Sequence, residues 1–204
     1  MFNKYYQKRR TALTLAIIMV LALFAPIAEH TVLAESTYGS SAYEHIEYLS
    51  ENLSEPRAPG TAGEVEASEY IKSQFESYGY KTNVQKFSYK RGDKSYNSQN
   101  IIAIKPGVSE KQIILGAHYD QVTRDNSKGV QDNASGIASI LEVAERLKDV
   151  KTPHTIVFIA FGSEEAGLRG SRYYVENMTQ DEIENTTGMI NLDSIIAGDY
   201  MYVY

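Results

Sequence analysis

Three observations predict an α/β fold, a three-layer α/β/α arrangement around a mixed, mostly parallel central sheet. The first is a set of short apolar runs, residues 111–117, 155–161 and 188–192, rich in β-branched or aromatic residues and bounded by polar or turn residues. Such runs fit strands covered on both faces. The second lies between the first two runs, where Ile137, Ile140, Leu141, Ala144 and Leu147 fall at helical spacing over residues 133–150, with Glu142, Glu145, Arg146 and Lys148 on the other side. Strand, helix, strand implies a parallel crossover. The third is a polar, alternating stretch over 81–89, which suits an exposed edge strand, followed by a second strand over 100–104 that runs into a Pro106-Gly107 turn. That pair makes the sheet mixed.

Two helices precede the sheet. Residues 42–53 carry Tyr43, Ile46, Leu49 and Leu53 on one face, and residues 62–78 carry Val65, Tyr70, Ile71, Phe75 and Tyr78. The loop 57–63 joins them, and residues 200–204 read as a further strand.

With 204 residues, 43% of them hydrophobic, the chain is long enough for one sizeable core, and a single folded domain over 35–204 is the expectation. Its start is a separate matter. Lys4, Lys8, Arg9 and Arg10 precede an apolar stretch over 12–28, and Val32-Leu33-Ala34 offers small residues before Glu35. This pattern predicts a secretory signal peptide cut after Ala34, and hence a secreted or cell-surface protein with no stable membrane association afterwards. The alternative is an uncleaved anchor, because the apolar run approaches spanning length. Cleavage takes away four basic residues and Glu29, moving the net charge from -6 to -9. An acidic surface argues against nucleic acid as a partner. The chain has no cysteine, so disulfides and thiolate metal sites are excluded and any metal must be held by histidine and carboxylates.

The residues that carry chemistry sit just past the predicted strands: His118, Asp120, Glu164, Glu165 and Asp193, with Asp132 ahead of the crossover helix. In open sheets of this kind ligands bind beyond the carboxyl ends of the strands. His118 and Asp120 are two apart, so an extended backbone sends both to one side, as in a ligating imidazole whose other ring nitrogen faces a carboxylate. Asp132 has two readings, an ordinary helix cap or a carboxylate pointed into the crevice. Adjacent Glu164 and Glu165 repel each other and need compensation, and their divergent side chains allow one to ligate while the other moves a proton.

The series Gly116-Ala117-His118-Tyr119-Asp120, Asp132-Asn133-Ala134-Ser135-Gly136, Glu164-Glu165-Ala166-Gly167-Leu168-Arg169-Gly170-Ser171 and Asn191-Leu192-Asp193 resembles the co-catalytic zinc aminopeptidases, metallopeptidase family twenty-eight. That family includes the bacterial leucyl aminopeptidases and the glutamate carboxypeptidase and transferrin receptor branches. The resemblance implies two zinc ions bridged by Asp132, with His118 and Asp193 completing one site and Glu165 belonging to the other. It makes Glu164 the general base and Asp120 the carboxylate that orients the ligand histidine. The reaction it implies is attack on a peptide carbonyl by a water between the ions, so peptides are the expected substrates.

Two departures qualify the resemblance. The family's second zinc takes a further histidine from well downstream of the Asp193 position, and His30, His45 and His154 do not replace it; His154 begins its strand roughly 20 Å from the site at about 3.3 Å per residue. The expectation is therefore a C-terminally truncated form whose second zinc binds weakly or not at all. The short distance from Arg57 to His118 also leaves no room for the protease-associated domain that some relatives insert. Two other functions remain open: a non-catalytic binding module, as in the receptor branch, and glutaminyl cyclisation on the same fold.

Overall fold

The computed structural model describes residues 38–197; the segment 1–34 and the strand expected over 200–204 lie outside the described residues. In chain order the elements are α1 (Ser40–Glu51), α2 (Ala62–Ser77), β1 (Lys81–Arg91), β2 (Lys94–Lys105), β3 (Ser109–His118), α3 (Ser135–Leu147), β4 (His154–Phe161), α4 (Arg169–Glu176), α5 (Gln180–Asn185) and β5 (Thr186–Asn191). Among the described residues the sheet has five strands in the order β1-β2-β4-β3-β5. β3 runs parallel to β4 and β5, whereas β2 is antiparallel to both β1 and β4, so β2 alone opposes the other four.

Period-two alternation divides the strands between two cores. Ile101, Ala103, Leu115, Ala117, Phe158 and Ala160 face the layer of α1, α2 and α3, where Leu49, Ile71, Phe75, Ile137, Ile140 and Leu141 complete one cluster. Ile102, Ile114, Val157, Ile159 and Phe161 face the other way and pack with Tyr174 of α4. The three-layer arrangement follows, with the second face more thinly covered.

Several expectations change. The hairpin is longer than its apolar signal: β1 reaches Arg91 and β2 begins at Lys94, paired through Arg91 with Lys94. Ser98 and Gln99 are buried although polar, which is why the pattern of hydrophobicity began the strand only at Asn100. On α2 the buried stripe is Glu64, Ala67, Ser68, Ile71 and Phe75, while Val65 is exposed, and on α1 His45 is buried where Tyr43 was expected. The crossover helix begins at Ser135 rather than Asn133, and α4 and α5 are helices beyond those expected from the sequence. Among the described residues β5 is not covered on both faces: it pairs with β3 and no other strand, and Met189 and Ile190, on opposite faces, are 47% and 54% exposed.

Local chemistry fixes the helix starts. Thr61 caps α2 by accepting from the Glu64 amide at 3.3 Å, a contribution of about 1 kcal/mol. α1 has no side-chain cap of its own; Glu142 of α3 reaches across to accept from Gly39 N at 2.9 Å and Ala42 N at 3.0 Å, placing a carboxylate at the positive end of the helix.

Beneath this contact His45 is enclosed by the Tyr70 hydroxyl at 2.7 Å from Nδ1 and the Tyr78 hydroxyl at 3.0 Å from Nε2. Burial lowers its pKa below 6.5, against the pull of Glu145, Glu44 and Glu142. The unfolded chain therefore takes up a proton that the folded chain refuses, so the His45 contribution is intact above about pH 6.5 and is lost as pH falls through the folded value. In thermal melts across pH 7.5 to 5, the difference between the wild type and His45→Gln should shrink as pH falls; a constant difference would show that His45 titrates normally in the folded state.

Candidate functional site

Because β3, β4 and β5 are parallel, their carboxyl ends share one edge, and the register sets His118 of β3 opposite Phe161 of β4. His118 is the last residue of β3, Glu164 and Glu165 follow β4 after the turn Gly162-Ser163, and Asp193 lies two residues past β5. Asp132 sits in the wide turn Val130–Ala134, where Asp132 and Asn133 leave helical geometry and the peptide between them is cis. His154 pairs with Ser109 at the opposite end of the same strands, as the sequence indicated.

The structure brings three of the predicted residues into one cluster. One ligand atom each from His118, Asp132 and Asp193 lie within 4.8 Å of one another. His118 Nε2 is 3.0 Å from Asp132 Oδ1 and 3.7 Å from Asp193 Oδ1, with the imidazole buried and the two carboxylates about half exposed. Glu165 is not part of this group, although the Asp132 charge acts on it more strongly than any other. One imidazole and two carboxylates form a donor set suited to a divalent cation of intermediate hardness, zinc included.

Asp120 is fully buried and uses both oxygens on backbone: Oδ1 accepts from Glu164 N at 2.8 Å and Oδ2 from Glu165 N at 2.9 Å. His118 Nδ1 faces Oδ1 at 3.5 Å, long for a hydrogen bond, and has no closer partner among the described residues. Burial resists protonation of His118, yet Asp120 and Asp193 outweigh it and raise its pKa to about 10. The same contact holds Asp193 below its ordinary value. Burial pushes Glu164 up, opposed by His118 and reinforced by Asp120, Asp193 and Asp132; burial and Asp132 push Glu165 up. Both glutamates are thereby shifted toward their protonated form relative to a free carboxylate.

Residues outside the predicted set support this cluster. Asn133, not Asp132, caps α3: its Oδ1 accepts from Gly136 N at 2.9 Å while Nδ2 donates to the Leu192 carbonyl at 2.9 Å. Asp132 is left free to face the crevice. Gly136 permits the approach, since a Cβ there would collide with the Leu192 carbonyl. Arg57, fully buried, donates to the carbonyls of Leu49, Lys128 and Gly129 and so anchors the loop leading to Asp132. Burial lowers its pKa to about 10, against Asp120 and Asp132, so it remains a cation behind an acidic site. A groove of about 460 Å³ between α2 and the β1–β2 hairpin reaches Glu64 and Ser98 but none of the metal-ligand candidates.

A metal-ligand cluster at the carboxyl ends of parallel strands in a mixed sheet defines an α/β protein with a candidate metal centre at its catalytic edge. The family follows from comparison: residues 100–204 match the model of Peptidase family M28, and the chain belongs to that family. It is 34% identical over 167 residues to the alkaline phosphatase isozyme conversion protein of Escherichia coli, covering 72% of this chain and 48% of that protein. Against aminopeptidase YwaD of Bacillus subtilis it is 43% identical over 101 residues, covering 48% of this chain and 22% of the relative. The chain thus spans half or less of the length of these relatives. A zinc aminopeptidase structure from Bacillus subtilis superposes with a TM-score of 0.70 at 22% identity, covering 76% of this chain and 68% of that one. The Porphyromonas gingivalis glutaminyl cyclase superposes with a TM-score of 0.65 at 27% identity, covering 76% and 58%.

Asn133→Ala removes the α3 cap and leaves the Leu192 carbonyl without its donor. Cap loss costs about 1 kcal/mol and an unpaired part-buried carbonyl about 1–3 kcal/mol, so urea unfolding should show a loss of roughly 2–4 kcal/mol. A change under about 0.5 kcal/mol would mean that water replaces both bonds.

Proposed function

We propose that this protein is an exported, metal-dependent exopeptidase that removes N-terminal residues from peptides. The observation that carries the reading is the convergence of His118, Asp132 and Asp193 within 4.8 Å, beside a Glu164 whose pKa is raised. The likeness to proteins named aminopeptidases supports it, and the basic, apolar start with its Val32-Leu33-Ala34 site supports export.

In this reading His118, Asp132 and Asp193 would hold one zinc ion, and Glu165 would contribute a carboxylate to a second. A divalent ion there supplies Lewis-acid polarisation of the substrate carbonyl and a lowered pKa for water. Glu164 takes the proton from the attacking water at its carboxylate and returns it to the leaving amine. Asp120 does not move a proton: both its oxygens hold the Glu164 and Glu165 amides, which keeps the base aimed into the crevice. Buried Arg57 offsets the negative charge that four carboxylates bring to the site before any cation arrives.

A second reading, zinc-dependent cyclisation of N-terminal glutamine, is favoured by the likeness to a glutaminyl cyclase. One experiment separates the two: aminoacyl chromogenic amides and a glutaminyl peptide offered to the zinc-loaded protein, with zinc counted by elemental analysis. The peptidase reading expects amide hydrolysis and no pyroglutamyl product. Glu164→Gln should lower kcat by about 10²–10⁴-fold with zinc retained, whereas Asp132→Asn should lose zinc. The reverse pattern would overturn the assignment of roles.

A further inference from the structure

Glu64, on the first turn of α2, is buried at 1% exposure although it carries a carboxylate. Its two oxygens gather four donors from three separate parts of the chain. Oε1 accepts from Ser163 N at 2.7 Å, Ser163 Oγ at 2.8 Å and Ser98 Oγ at 2.9 Å; Oε2 accepts from Gly60 N at 2.6 Å. Ser163 immediately precedes Glu164 and has φ of 52°, a left-handed conformation disfavoured for a residue with a Cβ. Its hydroxyl also accepts from Tyr89 Oη at 3.1 Å, so both the backbone and the side chain of Ser163 are held.

With Asp120 on the other side, three consecutive amides, those of Ser163, Glu164 and Glu165, are held by two buried carboxylates. The Gly162 amide donates to Asn100 Oδ1 at 3.2 Å and the Ser163 carbonyl accepts from Arg169 N at 3.2 Å, but it is Glu64 that binds the Ser163 amide. Glu64 thereby ties the turn to α2 and β2, elements that bear no metal-ligand candidate. Glutamine has the same shape but cannot do the same work: its amide offers one acceptor oxygen, so either Gly60 N or the Ser163 and Ser98 donors would face an NH₂ group.

We propose that Glu64 is a positioning residue, which sets the direction of the Glu164 carboxylate by fixing Ser163 in its left-handed conformation; the catalytic half of the proposal rests on the reading of Glu164 as the base. Glu64 is not one of the metal-ligand candidates, and both of its oxygens are taken up by donors of the chain itself.

The test compares the full chain with Glu64→Gln and Ser163→Ala, measuring zinc content, kcat and KM on an aminoacyl amide, and amide hydrogen exchange. Glu64→Gln should retain zinc and keep KM within about twofold while kcat falls roughly 10–100-fold, the loss expected when a reacting group is misplaced by about 1 Å. Exchange should accelerate over residues 163–165 and stay unchanged in β4. An unaltered exchange rate across the turn overturns the proposal, and so does acceleration spread through the sheet, which would make Glu64 a general support of the fold. Parallel losses of kcat, zinc and folded protein count against it in the same way. If Glu64→Gln does not fold, Ser163→Ala decides: local acceleration with a several-fold lower kcat supports positioning, and wild-type values of both refute it. A wild type without turnover would remove the peptidase reading, and exchange alone would then judge whether Glu64 fixes the turn.

Discussion

The bond pair from Asp120 to the amides of Glu164 and Glu165 is the contact on which the site depends. It joins the end of β3 to the loop after β4, two neighbours whose register already brings His118 alongside Phe161. A carboxylate that accepts two backbone donors is compensated without any cation, which lets Asp120 stay buried beneath the cluster. The same bonds fix the backbone from which the two glutamate side chains project. Two carboxylates that would repel each other on a free loop are held at fixed places because their backbone, not their side chains, is bound.

Much of the fold was legible in the sequence because its central strands are continuous apolar runs and its crossover helix is strongly periodic. β3, β4 and α3 were found close to their observed limits, and the residues that close those strands are the ones that converge. β5 was found as a strand but given the wrong surroundings, since Met189 and Ile190 look the same in sequence whether a neighbour covers them or not. The first half of β2 was hidden for the opposite reason. Ser98 and Gln99 are buried to make hydrogen bonds with Glu64 and Ser68, and hydrophobic periodicity carries no trace of a strand used in that way. The site followed the same division. His118 and Asp193 stood out by type and placement at strand ends and Asp132 only beside a helix-cap reading, whereas Asn133, Arg57 and Glu64 act on groups far along the chain, a relation that residue type does not reveal.

Charge in the site is arranged in layers. Four carboxylates, those of Asp132, Glu164, Glu165 and Asp193, line the crevice, and each of the two glutamates is pushed toward its neutral form by burial and by the others. Behind them Arg57 gives its protons to three backbone carbonyls rather than to any acid, so its charge acts at a distance. A direct ion pair would have neutralised one carboxylate and left the rest; a cation held by carbonyls moderates the whole group and leaves every oxygen at the front available.

The contacts that build the site join residues far apart in sequence. Glu64 and Ser163 are separated by 99 positions, Arg57 and Gly129 by 72, Asn133 and Leu192 by 59, and Asp120 and Glu164 by 44. Each must close a long loop, whose entropy is recovered only when the strands between are already paired. The crevice is therefore among the last features to form as the chain folds, and among the first to dissolve when the sheet loosens. Until the strands pair, the acidic residues stay dispersed along the chain, so the capacity to gather metal ligands arrives together with the completed architecture.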